Sequence, residues 1–155
     1  MYSFETATEL AHLYALEVDA AHAYSNAVAL AGQGPVHDEL RLFGLEHQRH
    51  ALLLLEALVR LGHEAPEAEP DVKGVVIGAL TAPARPLTLE DVLEGVRGNE
   101  QLTSSVYAKV LVKPLPGEVR ELLRSLAEDE QRHLHRLERM VSDRVWEGAH
   151  EAPGR

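Results

Sequence analysis

Residues 117–140 read GEVRELLRSLAEDEQRHLHRLERM, and the four residues Glu130-Gln131-Arg132-His133 near their middle decide the fold. Val119, Leu122, Leu126, Leu137 and Met140 recur at spacings of three and four, the signature of one buried helical stripe. Glu130 and His133 fall on that same stripe at mid-length, where a core helix would carry leucine. An ionised carboxylate in an apolar interior costs several kcal/mol or more unless something compensates it. The question is whether the rest of the chain supplies that compensation.

Three other stretches repeat the pattern. One offers Val36, Leu40 and Phe43, then His47 and His50, then Leu54 and Leu58. Another runs Leu10, Leu13, Glu17, Ala21, Tyr24 and Val28, and a third Leu93, Val96, Glu100, Thr103, Tyr107 and Val110. Each bears ionisable groups halfway along its apolar face. Punctuation residues bound the four helices at about 3–31, 35–61, 88–113 and 118–146. Ser3 is the expected cap of the first helix, and Gly32-Gln33-Gly34-Pro35 its stop. Pro35 and Gly62 bracket the second, Thr88-x-x-Asp91 makes a capping box for the third, and Pro116-Gly117 precedes the fourth. Four rods, each about 40 Å long at 1.5 Å per residue, make a four-helix bundle.

Connection lengths give the topology. The first and second helices, and the third and fourth, are joined by a few residues and form antiparallel hairpins. The link over 63–87 holds Pro66, Pro70, Pro83 and Pro86 and is long enough to cross the whole bundle, which makes the second and third helices parallel. Its apolar centre, Val75-Val76-Ile77-Gly78-Ala79-Leu80, is expected to lie against the bundle side. An internal repeat agrees with this layout. A gapless shift of 83 positions sets Glu17 on Glu100, Tyr24 on Tyr107, Leu40 on Leu123, Gln48-Arg49-His50 on Gln131-Arg132-His133, and Leu54 on Leu137. The two hairpins read as copies related by a pseudo-two-fold axis.

Composition narrows the function. The chain has 155 residues, enough for a single domain with one sizeable core, and is 45% hydrophobic with few aromatics. It has no cysteine, which excludes thiolate zinc sites, iron–sulfur clusters, disulfides and a cysteine nucleophile. A formal charge of −10 argues against a nucleic-acid binder. No apolar run approaches the ~20 residues that span a bilayer, so no membrane partner is expected. The N-terminal residues show no basic or apolar leader, so a cytoplasmic protein is expected. Nucleophile elbows, phosphate loops and dinucleotide fingerprints are absent from the sequence.

Three glutamates and three histidines at one level are best compensated by one or two divalent ions, since carboxylate and imidazole suit iron, manganese and zinc. The spacing of Glu130 and His133 lets both reach one ion from a single helix. Glu17 with Tyr24, Glu100 with Tyr107, and Glu130-Gln131-Arg132-His133 resemble the ferritin-like superfamily, of the rubrerythrin and bacterioferritin type. The stretch from Gly98 through Tyr107, with Leu115-Pro116-Gly117 and Val119-Arg120, also resembles an uncharacterised bacterial branch of that superfamily. The resemblance covers nearly the whole chain through helix order, crossover and repeat. It implies an all-α ferritin-like bundle and a carboxylate-bridged metal pair that reacts with dioxygen or peroxide. Glu17 and Glu100 would then be terminal ligands, Glu130 a bridge, and His50 and His133 one imidazole for each metal.

One position departs from the family pattern. His47 stands where the second Glu-x-x-His would carry glutamate. The departure implies an asymmetric pair, a single-metal site, or a nitrogen-richer site suited to zinc or manganese. Glu46, four residues before His50 and on a different face, is a partial substitute and otherwise a residue that supports the ligands from outside. Tyr24 and Tyr107 are read as packing residues whose hydroxyls support ligands. Arg49 and Arg132 are expected to pair with outer carboxylates such as Glu46 or Asp129. Asp19, His12, His22, His37, His63, His135 and His150 receive no role.

The functional expectation is a metal-binding protein, a di-iron or related oxidoreductase or ferroxidase acting on Fe(II), dioxygen or peroxide. Iron is the preferred metal, with manganese or zinc as substitutes. Such a protein would draw on an external electron donor and form a homo-oligomer, with a dimer favoured over a storage cage. The alternative is a non-enzymatic stress- or partner-binding bundle whose site is structural or degenerate.

Overall fold

The structure is a computed structural model that describes residues 4–67 and 86–148. Ser3 and the apolar centre of the crossover, Val75 to Leu80, lie outside the described residues. Four helices make up the fold: α1 (Phe4–Ala31), α2 (Pro35–Arg60), α3 (Leu89–Leu111) and α4 (Gly117–Ser142). There is no strand among the described residues. After Ser142 the chain continues in turns through Trp146, and Arg144 there takes a φ of 50°.

Local chemistry sets the helix ends. At α3 the capping box forms in both directions: Asp91 N–H donates to Thr88 Oγ1 at 3.2 Å, and Thr88 N–H donates to Asp91 Oδ2 at 2.8 Å. Pro35 opens α2 without sacrificing a backbone donor that the helix would use. At the other end of α2, Gly62 adopts a φ of 80°. Its N–H then reaches Val59 O at 2.9 Å while the His63 N–H reaches Leu58 O at 3.1 Å. These two bonds satisfy carbonyls that the last turn leaves over, a geometry open to glycine and costly for a residue with a Cβ.

Two apolar layers fix the directions of the helices. One gathers Leu10 and Leu13 of α1, Leu54 and Leu58 of α2, Val110 of α3, and Val119, Leu123 and Leu126 of α4. The other gathers Ala27, Leu40, Phe43, Val92, Leu93, Val96, Leu137 and Met140. The start of α1 therefore meets the ends of α2 and α3 and the start of α4. Each hairpin is antiparallel, and α2 runs parallel to α3. This is the ferritin-like arrangement, with α1 packed on α2 and α3, and α4 on α3 and, more sparsely, α2.

The buried stripes differ from the sequence reading by one residue at several places. Leu123, Ala20 and Ala27 are buried where Leu122, Ala21 and Val28 were expected, and the latter three are only partly covered. In α4 the stripe steps back from Glu130 by four to Leu126 and then by three to Leu123, so the core seam keeps its seven-residue register. Leu122 lies at the margin of the apolar layer that holds Leu123 and Leu126.

Gly44 allows α1 and α2 to approach closely. A Cβ built there would sit 3.1 Å from the Cβ of Tyr24. The approach brings His47, three residues further along α2, beside α1.

Candidate metal centre

Between the two apolar layers lies a polar layer to which all four helices contribute. α1 supplies Glu17 and Tyr24, α2 supplies His47 and His50, α3 supplies Glu100 and Tyr107, and α4 supplies Glu130 and His133. All eight side chains are buried. The helical stripes place them there: each is a stripe position, and the apolar residues on either side exclude water above and below.

The contacts between hairpins are crossed. The Tyr24 hydroxyl donates to Glu100 Oε1, and the Tyr107 hydroxyl donates to Glu17 Oε1 at 2.5 Å. On the outer side, His50 Nε2 lies 3.0 Å from Asp129 Oδ2, and His133 Nε2 lies 2.5 Å from Glu46 Oε2. Each pair becomes its counterpart under the 83-position shift. Arg132 ties the two outer carboxylates together, donating to Asp129 Oδ1 at 2.6 Å and to Glu46 Oε1 at 3.0 Å. Arg49, its counterpart, reaches only to 4.0 Å from Asp129.

His47 and Glu130 break this exchange. His47 Nδ1 is 2.7 Å from Glu17 Oε2, and its Nε2 is 2.9 Å from Glu100 Oε1. Two ionised carboxylates can only accept, so both ring nitrogens must carry hydrogen, and His47 is an imidazolium held between them. Burial works against that charge, but the bonds to the ionised Glu100 and Glu17 overcome it and hold His47 well above the usual imidazole range. Burial also works against an ionised Glu17, yet hydrogen bonds from His47 and His50 bring its carboxyl down to about 2. Glu130 goes the other way. Burial first, then the charges of Glu17 and Glu100, push its carboxyl well above the usual range, with only His47 opposing. Tyr24 and Tyr107 are raised by burial and by the carboxylates they bond, so both stay protonated donors.

The layer is not fully satisfied by its own members. Glu100 Oε2, Glu130 Oε2 and His133 Nδ1 are buried without a hydrogen-bond partner. Leaving such groups unmet costs roughly 1–3 kcal/mol each and more where charge is involved. All are atoms of the kind that bind metal ions. The side chains form two overlapping groups whose ligand atoms lie within 4.8 Å of one another: Glu17, His47, His50 and Glu130, and His47, Glu100, Glu130 and His133. Each group has its own terminal glutamate and its own outward-anchored histidine, and the two share Glu130 and His47. The donor set is oxygen and nitrogen throughout, which suits iron, manganese or zinc. Orphaned atoms, mixed donors and two adjoining groups all fit a metal pair.

All six sequence-predicted ligand candidates thus meet in one layer. The tyrosines face carboxylates of the opposite hairpin. Glu46 belongs to neither ligand group and holds the outer nitrogen of His133. Asp129 was read only as a partner for arginine, and its contact with His50 was missed. The signal for it was available, since the 83-position shift places Glu46 on Asp129. Such outer carboxylates orient the imidazoles and leave Nδ1 facing inward.

The family model described as Rubrerythrin matches residues 10–141. A hypothetical protein from Pyrococcus furiosus has a similar structure, with a TM-score of 0.70 and 19% identity over 90% of this chain and 89% of that one. The bacterioferritin of Rhodobacter capsulatus, solved with a metal-free dinuclear site, gives a TM-score of 0.74 and 19% identity over 94% of this chain and 90% of that one. No curated protein matches in sequence.

Proposed function

The chain belongs to the rubrerythrin family, and on that premise we propose that it binds a pair of divalent transition-metal ions and acts as a ferroxidase or related oxidoreductase on Fe(II), dioxygen or peroxide. Iron is the preferred metal. The observation that carries the reading is the layer of six buried carboxylate and imidazole side chains in two overlapping groups, with ligand-type atoms left unmet. In this reading Glu17 and His50 hold one ion, Glu100 and His133 the other, and Glu130 and His47 lie between. The metals, when bound, supply paired one-electron redox centres and so a two-electron couple.

The protein's own groups do the rest. Tyr24 and Tyr107 fix the orientation of Glu100 and Glu17 by donating to them. Asp129 and Glu46 hold His50 and His133 by their outer nitrogens. His47 gives up a proton when a cation takes over its work between the two glutamates, and Glu130 gives up the proton that its raised pKa retains. Phe43, with its ring 4.4 Å from that of His133, and Leu126 exclude water on the two apolar sides. Electrons come from an external donor.

Anaerobic Fe(II) titration followed by exposure to oxygen tests the reading. Uptake near two ions per chain, abolished by Glu130→Ala, with stoichiometric oxygen consumption is the expected result. Metal retention without oxygen consumption would reduce the function to a structural site. No retention, together with unchanged stability of Glu130→Ala, would remove the metal reading altogether.

A further inference from the structure

Each outer carboxylate divides its two oxygens between an imidazole and the same guanidinium. Asp129 gives Oδ2 to His50 Nε2 and Oδ1 to Arg132 Nη1. Glu46 gives Oε2 to His133 Nε2 and Oε1 to Arg132 Nη2. Arg132 thus uses a separate arm for each, and its planar fork fixes how Glu46 on α2 stands to Asp129 on α4. His133 Nδ1 has no hydrogen-bond partner, so among the described residues the contact with Glu46 is the hydrogen bond that aims that ring. The seam around these groups gives them little other support. α4 packs only sparsely on α2, and Arg49, the counterpart of Arg132, stands 4.0 Å from Asp129. One turn along α4, Arg136 grips both oxygens of Glu39, at 2.5 and 3.0 Å. The 83-position shift lays that pair on Leu53 and Leu122, which line a hollow of about 120 Å³ between the same two helices on the other side of the layer. At the level of the imidazoles, Arg132 is what joins α2 to α4.

We propose that Arg132 is a positioning residue for the whole layer: by holding Glu46 and Asp129 at once, it fixes the direction of the His50 and His133 rings, one in each ligand group. Ionised carboxylates only accept, so both outer Nε2 atoms carry the hydrogen and both Nδ1 atoms present a lone pair inward. Without Arg132 each carboxylate can turn about its own side-chain bonds, and the ring bonded to it loses a fixed acceptor. The effect is on direction rather than on folding. Arg132 is 54% exposed, and ion pairs in such a setting contribute little stability. Lysine carries the same charge at a point and cannot span two carboxylates in a fixed plane. The consequence for the rings holds in the metal-free chain. The consequence for ion affinity rests on the metal function proposed above.

Nuclear magnetic resonance of the metal-free chain tests the first, through the rate at which the two imidazole Nε2 hydrogens exchange with water. Arg132→Lys is expected to speed exchange at His50 and His133 alike, by about tenfold or more, while Arg49→Lys moves neither. Asp129→Ala should loosen His50 more than His133, and Glu46→Ala the reverse, which tells one shared bar from two separate anchors. Calorimetric titration with Zn(II), a redox-inert ion, tests the second. Arg132→Lys should weaken binding to both ligand groups by about tenfold, with the metal-free melting temperature within about 2 °C of wild type. Loosening of one ring alone by Arg132→Lys, or of neither, overturns the proposal. A large fall in the metal-free melting temperature would make Arg132 a structural tie and overturn it too. A wild type that takes up no Zn(II), with both rings loosened by Arg132→Lys, removes the metal function and leaves Arg132 its role. Uptake by wild type, with rings and affinity indifferent to Arg132→Lys, does the opposite.

Discussion

At the scale of single residues, the metal-free layer is held by protons. Glu130 and His47 both bind protons more tightly folded than unfolded, burial being the first cause for Glu130 and the surrounding carboxylates outweighing burial for His47. Their contributions are complete below the ordinary values of 4.5 and 6.5 and are lost as pH rises through the folded values. Glu17, brought down to about 2, works in the opposite sense: its contribution is present above 4.5 and is lost as pH falls towards about 2. Calorimetry of metal-free protein should therefore find greatest stability near the ordinary carboxyl value, with a decline on both sides that steepens above the ordinary imidazole value. A melting temperature that climbs steadily through neutral pH would contradict this. His47→Glu separates the two states of the site. It removes the imidazolium and adds a fourth carboxylate to the buried layer, so the metal-free variant should lose roughly 3–5 kcal/mol in urea unfolding. Bound ions should restore the loss, and calorimetric titration should then count two sites of similar affinity. A variant as stable as wild type without metal would refute the role given to the His47 charge. The ligand candidates were legible in the sequence because charge on a periodic apolar face has no other ready explanation. The contact of Asp129 with His50 was not, because Asp129 lies one residue off its stripe, about 100° around the helix, where side chains ordinarily meet solvent.

At the scale of helices, the packing of α1 on α2 depends on Gly44. Gly44→Ala gains up to about 1 kcal/mol of helix propensity but places a methyl group 3.1 Å from Tyr24 Cβ. That atom is anchored to the α1 backbone, and the Tyr24 ring is buried against Phe43 and stacked on His47, so the strain spreads into both helices. Overpacking typically costs about 1–3 kcal/mol, and a net loss is expected, read as a lower urea midpoint with an unchanged slope. A stabilised variant would show that α1 can simply move aside. Helix order and direction were legible from Gly, Pro and the Thr88 capping box, because these residues act on their own backbone. The phase of the stripes was legible only to within a residue. Whether Leu122 or Leu123 faces inward depends on how α4 is rotated against its neighbours, and that is a property of the assembled bundle.

At the scale of the whole molecule, the polar layer is a point of weakness that a ligand can relieve. An ion that binds only the folded chain, present at a hundred times its dissociation constant, adds about 2.7 kcal/mol. For a chain of this length that raises the melting temperature by roughly 5–10 °C, a shift that a chelator should reverse. No shift with Fe(II), Mn(II), Zn(II) or Co(II) would speak against any metal in the layer. None of the described helices is long and apolar enough to cross a membrane. The crossed pairs, Tyr24 with Glu100 and Tyr107 with Glu17, leave each hairpin reliant on the other to complete its half of the layer. Two separate molecules of one hairpin could build the same crossing, but every position would then appear twice, and an imidazole facing a carboxylate across the axis would be out of reach. A continuous polypeptide lifts that restriction: positions 47 and 130 can specialise, one as a cation and the other as a proton store, while the frame around them keeps its duplicate plan.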